Sequence, residues 1–419
     1  MILLEEKEES VIKLKSSLER QIKLPELSSR ALVVMGVRRC GKTNIAHSLC
    51  AQGGQYLSIN FDDERLMDFQ AKDFDLLLQV GAELFPENRV LLLDEAQNVL
   101  GWELFANRVL RKGYRLVVTG SNARLLSKEL ATHLTGRSRT LELFPFSWSE
   151  FLSIKSLPFQ VGTDTVLAPE KKAKVMMLFE EYLKKGGFPE VVIKHFDSSY
   201  LRELYEKILI KDIAARYNLR EIRTLRELSL SLINNLAGRM TFQKSAKALS
   251  IKSVTTVRKY CDALEEAYLL TLLSSFHSKA KEIIRSPKKV YPIDLGLHES
   301  LNLAVSNEKG RKLEGFVFLE LRRRGCEIFS GLDADFEVDF VVRKGVAVEQ
   351  LIQVCHSLAD PETRARELKG LNLASKKYHC KNLTILTFDE TESVSDLSLG
   401  KGVSVQVLPA WRWALEKAT

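Results

Sequence analysis

With 419 residues, 45% of them hydrophobic and 28% charged, the chain has the make-up of a globular protein and is too long for one typical core, so two to four domains are expected. No apolar run approaches the roughly 18 residues that span a bilayer, and residues 1–4 turn at once into Glu5-Glu6-Lys7-Glu8-Glu9 without a signal-peptide pattern, so the expected location is the cytoplasm, with no membrane partner. The net charge of +8 is compatible with nucleic-acid binding without showing it, and six cysteines without CxxC or metal-ligand spacing exclude a zinc site.

Taken in chain order, Val11, Leu14, Leu18 and Ile22 share one helical face and predict a helix over about 11–27. A buried strand over 31–35 then runs into Gly36-Val37-Arg38-Arg39-Cys40-Gly41-Lys42-Thr43, which fits G-x-x-x-x-G-K-[ST], the phosphate-binding loop of P-loop NTPases. Gly36 and Gly41 permit backbone shapes that let the amides of Val37, Arg38, Arg39 and Cys40 face phosphate oxygens. Lys42 sets a point charge against the β and γ phosphates, and the Thr43 hydroxyl completes the shell of a Mg²⁺ ion. Asn44 opens the following helix, whose N-terminus favours an anion. ATP and Mg²⁺ are therefore the expected ligands.

Further strands are predicted over 56–61, 89–95, 115–122 and 139–143 with helical stretches between them, the pattern of a parallel βαβ sheet. The third of the chain's strands is a continuous apolar run ending in Asp94-Glu95. Asp94 is the expected acid that holds Mg²⁺ through water, and Glu95 the expected general base that polarises an attacking water.

These motifs are joined by 93–97, 119–122, 134–137, 144–151, 186–190, 291–296 and 337–340. On them the chain resembles a family of prokaryotic AAA+-type P-loop ATPases, common in archaea, with a C-terminal nuclease-like domain. The resemblance implies an α/β P-loop core over 1–145 and a helical lid over 146–200. It places Ser121 at the γ-phosphate as a sensor. Arg137, before the last core strand, is either an arginine finger toward a neighbouring subunit, which would make the protein a homo-oligomer, or a surface residue of a basic loop with Arg139.

Beyond the core, Val175, Leu178, Phe179 and Tyr182 define one face of a helix over 170–185 that ends at Gly186-Gly187, a hinge or a packing loop. Residues 201–277 read as a winged helix: short helix 241–249, second helix 253–267, then a strand, with Lys279, Lys281, Arg285, Lys288 and Lys289 as a basic wing. If it binds DNA, the second helix enters the major groove and the wing touches phosphates, but Asp262, Glu265 and Glu266 on that helix repel phosphates, so a protein-contact module is the alternative. Over 278–419 the order α-β-β-β-α-β is that of restriction-endonuclease-like nucleases. Asp339 fills the strand acid and Glu314 the helix acid, but Gln353 and Cys355 stand in the E-x-K slots, so the domain reads as a degenerate nuclease.

The leading expectation is an ATP-dependent molecular switch acting on DNA or a protein. The alternatives are an ATP-regulated, metal-dependent DNA nuclease and a nucleotide-binding regulatory protein with negligible turnover.

Overall fold

The structure is a computed structural model that describes residues 1–16, 18, 20–86, 89–121, 134, 136–157, 167–277, 279–303, 309–333, 335–394 and 404–416. The chain divides into two compact units, Met1–Pro145 with Glu266–Tyr268, and Phe146–Glu265 with Leu269–Thr419.

The first unit begins with α1 (Ile2–Ser16), continues through β1 (Ala31–Gly36), α2 (Lys42–Ala51), β2 (Leu57–Asn60), α3 (Phe74–Leu84), β3 (Val90–Asp94), α4 (Trp102–Arg111) and β4 (Arg115–Gly120), and closes with β5 (Ser138–Leu143). The first helix is displaced from its expected span of 11–27. Residues 2–16 are rich in Leu, Glu and Lys, good helix formers, whereas Pro25 lacks an N–H and would break a helix running to 27. The five strands pair in the order β2-β3-β4-β1-β5, every pair parallel. β1 lies inside the sheet and is buried along its whole length, which is why it reads as unbroken Ala-Leu-Val-Val-Met. Its register sets Met35 beside Gly120 and Gly36 beside Leu143. The carboxyl ends of β1, β3 and β4 therefore share one edge, where open α/β sheets bind ligands.

The second unit starts with α5 (Trp148–Ile154), α6 (Pro169–Lys185), α7 (Pro189–Lys194) and α8 (Ser198–Lys207), which runs into a π-helical stretch over Ile208–Ala215. Then come α9 (Ile222–Asn234), β6 (Arg239–Met240), α10 (Phe242–Ala248), α11 (Val254–Glu266), β7 (Leu270–Leu273), α12 (Ala280–Arg285), β8 (Lys288–Pro292) and α13 (Leu295–Leu301). The chain ends with α14 (Lys309–Arg323), β9 (Glu327–Leu332), β10 (Glu337–Lys344), β11 (Ala347–Val354), α15 (Pro361–Tyr378), β12 (Leu383–Thr387), β13 (Glu392–Val394), β14 (Val405–Pro409) and α16 (Ala410–Trp413).

Strands β6, β8 and β7 form a small antiparallel sheet, and the remaining six pair in the order β13-β14-β12-β11-β10-β9. The described residues of the segment read from sequence as a lid contribute to the core of this unit: Trp148, Phe151, Phe179 and Tyr182 pack in one cluster with Phe316, Phe340, Trp411 and Trp413. A second apolar cluster joins Val338, Leu351 and Ile385 to Leu371 and Ala374 of α15. The basic wing is also revised. It contains a helix, α12, and Lys289 is buried among carboxylates rather than presented to phosphates.

Candidate nucleotide site

The loop between β1 and α2 is shaped by its glycines. Gly36 has φ 156°, and a Cβ there would meet the carbonyl oxygen of Leu143 at 2.1 Å. Gly41 caps α2 in the left-handed region at φ 97°, and Arg39 also has positive φ, so the backbone between them turns tightly. Val37 and Cys40 are buried inside the loop, Arg38 is half-buried, and Arg39 and Asn44 are exposed. Arg38 pairs with Asp62 at 3.4 Å.

Lys42 is 5% exposed, and its Nζ donates to the carbonyl of Val37 at 3.2 Å. The same Nζ stands 3.6 Å from Glu95 Oε1. Thr43 Oγ1 donates to Asp94 Oδ2 at 2.8 Å, so the two residues assigned to Mg²⁺ lie side by side. A hydroxyl next to a carboxylate is an all-oxygen donor set of the kind Mg²⁺ takes alongside phosphate and water, so the residues present fit that ion.

Glu95 adopts φ 51°, an unusual backbone for a non-glycine residue. Ser121 Oγ donates to its Oε2 at 3.2 Å, and Gln97 Nε2 donates to the same oxygen. Burial works against a charged Glu95, yet the Lys42 ammonium, Gln97, Arg38 and Ser121 outweigh it and hold the carboxyl below its ordinary range. Asp94 goes the other way. Burial and the neighbouring Glu95 charge raise it, against the hydroxyls of Thr119 and Thr43 and the Lys42 charge.

Lys42, Thr43, Asp94, Glu95 and Ser121 thus converge at one sheet edge. Arg137 does not join them: its backbone carbonyl accepts from Ala31 N at the opposite end of β1, about 17 Å from Gly36 by strand rise. Its side chain is exposed and donates to Asn107 Oδ1 at 2.8 Å. Asn122, the last residue of the strand expected over 115–122, lies outside the described residues.

Two residues with no assigned role in the sequence reading complete the site. Thr119 Oγ1 donates to Asp94 Oδ1 and accepts from Glu95 N at 3.0 Å, coupling the two acids. Arg20 donates to the carbonyls of Cys40 at 3.0 Å and Phe144 at 2.9 Å, bracing the loop against the segment after β5. Thr119 was visible as a polar residue at a strand end, whereas nothing local marks Arg20.

An AAA domain model matches residues 28–152, and a model of a domain of unknown function (DUF8612) matches residues 176–309. Uncharacterized protein MJ1544 of Methanocaldococcus jannaschii is 32% identical over 414 residues, spanning 95% of this chain and 91% of that protein. An uncharacterized protein of Haemophilus influenzae is 31% identical over 378 residues, with 86% and 90% covered. Among solved structures, C. elegans PCH-2 covers 62% of this chain and 64% of its own at 15% identity, with a TM-score of 0.23 that carries no argument. Similarity that runs through nearly the whole of both chains places this protein in the same family as MJ1544, with an AAA-type, nucleotide-binding P-loop domain as its first unit.

Proposed function

We propose that the first unit binds Mg²⁺-ATP and hydrolyses it, and that this turnover drives a molecular switch. One observation carries the reading: the Thr43–Asp94 pair and the Glu95 carboxylate sit together around Lys42 at the carboxyl edge of a parallel sheet. The backbone of Gly36, Val37, Arg38, Arg39, Cys40 and Gly41 cradles the phosphates, with Asn44 in the first turn of α2, and Lys42 moves its charge onto the β and γ oxygens. Thr43 and Asp94 would hold Mg²⁺, which when bound neutralises charge on the transferring phosphoryl group. Glu95, kept ionised by its neighbours, accepts a proton from the attacking water while Ser121 orients that carboxylate. Arg137, far from this site in its own chain, would serve as a finger only toward a neighbouring subunit.

Phosphate release by wild type, Lys42→Ala and Glu95→Gln tests this. Glu95→Gln should still bind ATP but lose about 10²–10⁴-fold in turnover, and Lys42→Ala should lose both. Equal turnover by all three proteins would overturn the assignment.

A second reading concerns what the switch acts on. In the second unit, a cavity of about 500 Å³ is lined by Thr241, Phe242, Gln243, Arg258, Arg285 and Lys288. Arg258 lies 4.8 Å from the centre of the Phe242 ring. Three cations around one cleft beside α11 favour a phosphodiester backbone, as a DNA-bound winged helix would require. Anisotropy of labelled duplex DNA should then show affinity falling steeply with salt, the slope reduced by about one unit in Arg285→Ala. Salt-indifferent binding would rule this reading out.

A further inference from the structure

The order α14-β9-β10-β11-α15-β12 is shared with metal-dependent nucleases, in which a helix acid, a strand acid and a third-strand pair gather a divalent cation. In this chain the corresponding donors are committed to other partners. Lys289, brought in by β8 from outside that order, places its Nζ 2.8 Å from Glu314 Oε1 and 2.7 Å from Asp339 Oδ1. It also lies 3.3 Å from Glu337 Oε1, which pairs in turn with Arg239 at 2.9 Å. The Tyr291 hydroxyl donates to Glu314 Oε1 as well. The second oxygen of Asp339 accepts from Val354 N at 2.9 Å.

Gln353, the residue in the third-strand acid slot, carries no charge and both ends of its amide are engaged by protein groups. Its Oε1 accepts from Asp339 N at 3.1 Å, and its Nε2 donates to Glu367. Cys355 is buried in the apolar cluster beneath α15. A divalent ion shared by Glu314 and Asp339 needs oxygens at about 2.0–2.6 Å, which is the place the ammonium already takes. The fold's metal therefore does not fit these residues. Lys289 is 3% exposed, Asp339 6%, Glu314 8% and Gln353 8%, too deep for a phosphodiester to reach.

We infer that the resident cation of this centre is Lys289 itself: an internal ammonium replaces the divalent ion, and the centre is a charge lock tying β8 to α14 and β10. Two corollaries follow. The protein binds no divalent cation through Asp339 and Glu314, and withdrawing the ammonium opens a divalent site there.

Binding of Mn²⁺ to nucleotide-free protein, followed by the free-ion electron paramagnetic resonance signal, tests both. At about pH 8, wild type and Asp339→Asn should bind equal amounts of Mn²⁺. Lys289→Met should melt at a lower temperature than wild type, bind one further Mn²⁺ and regain part of the lost melting temperature with it. The double variant Lys289→Met/Asp339→Asn should lose that extra ion. Mn²⁺ bound by wild type and lost in Asp339→Asn would overturn the inference, as would a folded Lys289→Met that gains none. The first comparison needs no lysine variant, so it can overturn the inference even if Lys289→Met fails to fold.

Discussion

Thr119 shows how much a single hydroxyl carries in the first unit. It donates to the Asp94 carboxylate and accepts from the Glu95 backbone, so the two acids hold a fixed relation before any substrate is engaged. Glu314 is the matching case in the second unit. Burial and the nearby Asp339 charge push its carboxyl up to about 7, against the pull of Lys289 and Tyr291. A raised carboxyl keeps its proton in the folded protein where the unfolded chain has already released it. Its stabilising contribution is thus fully present below about 4.5 and is lost as pH climbs through about 7. Urea unfolding across that window should show wild type losing about 1–3 kcal/mol relative to Glu314→Gln as pH rises. A difference that grows the other way would mean the group is stabilised as a charged partner throughout. Lys42, Thr43, Asp94 and Glu95 were legible because their roles follow from short, contiguous spacing. Lys289 was misread as a wing cation because its partners lie 25 and 50 positions away, and charge alone does not reveal burial.

At the scale of elements, the loop after α6 and the turn before α13 explain each other. Asp294 caps α13 by accepting from Leu297 N at 3.0 Å, and it accepts from Gly187 N at 2.7 Å. A Cβ on Gly186 would meet the Asp294 carboxylate at 2.1 Å, and one on Gly187 would meet the Phe146 carbonyl at 2.2 Å. The glycine pair is therefore a close-packed junction, and the packing-loop alternative describes it better than a hinge. Asp294 is 1% exposed, so Asp294→Ala would leave two buried N–H groups unpaired and should cost about 2–4 kcal/mol, read as a lower urea midpoint at unchanged slope. Asp294→Asn, which retains an acceptor oxygen, should lose less. An unchanged midpoint for the alanine variant would contradict the junction. Both partners stood out in the sequence as motifs, but their meeting across 107 positions did not, since no local period encodes a contact between two turns.

Over the whole molecule, strand identity was the most readable feature, because a parallel sheet buried on both faces forces unbroken apolar runs such as Leu91-Leu92-Leu93. Domain division was less so. A helix with one apolar face, such as α6, looks alike in sequence whether it covers a nucleotide or completes a core; in the structure Phe316 and Phe388 pack against its Phe179. Trp148 extends that point to the end of the chain: its Nε1–H donates to the carbonyl of Trp411 at 3.1 Å, 263 positions later. The order of synthesis gives this bond a consequence. The five strands of the first unit have all been made once residue 143 is complete, whereas α5 must wait for nearly all the rest of the chain before its tryptophan finds its partner. At about 5–20 residues per second, roughly 10–50 s separate the synthesis of Trp148 from that of its partner, so this bond is among the last that the second unit can form.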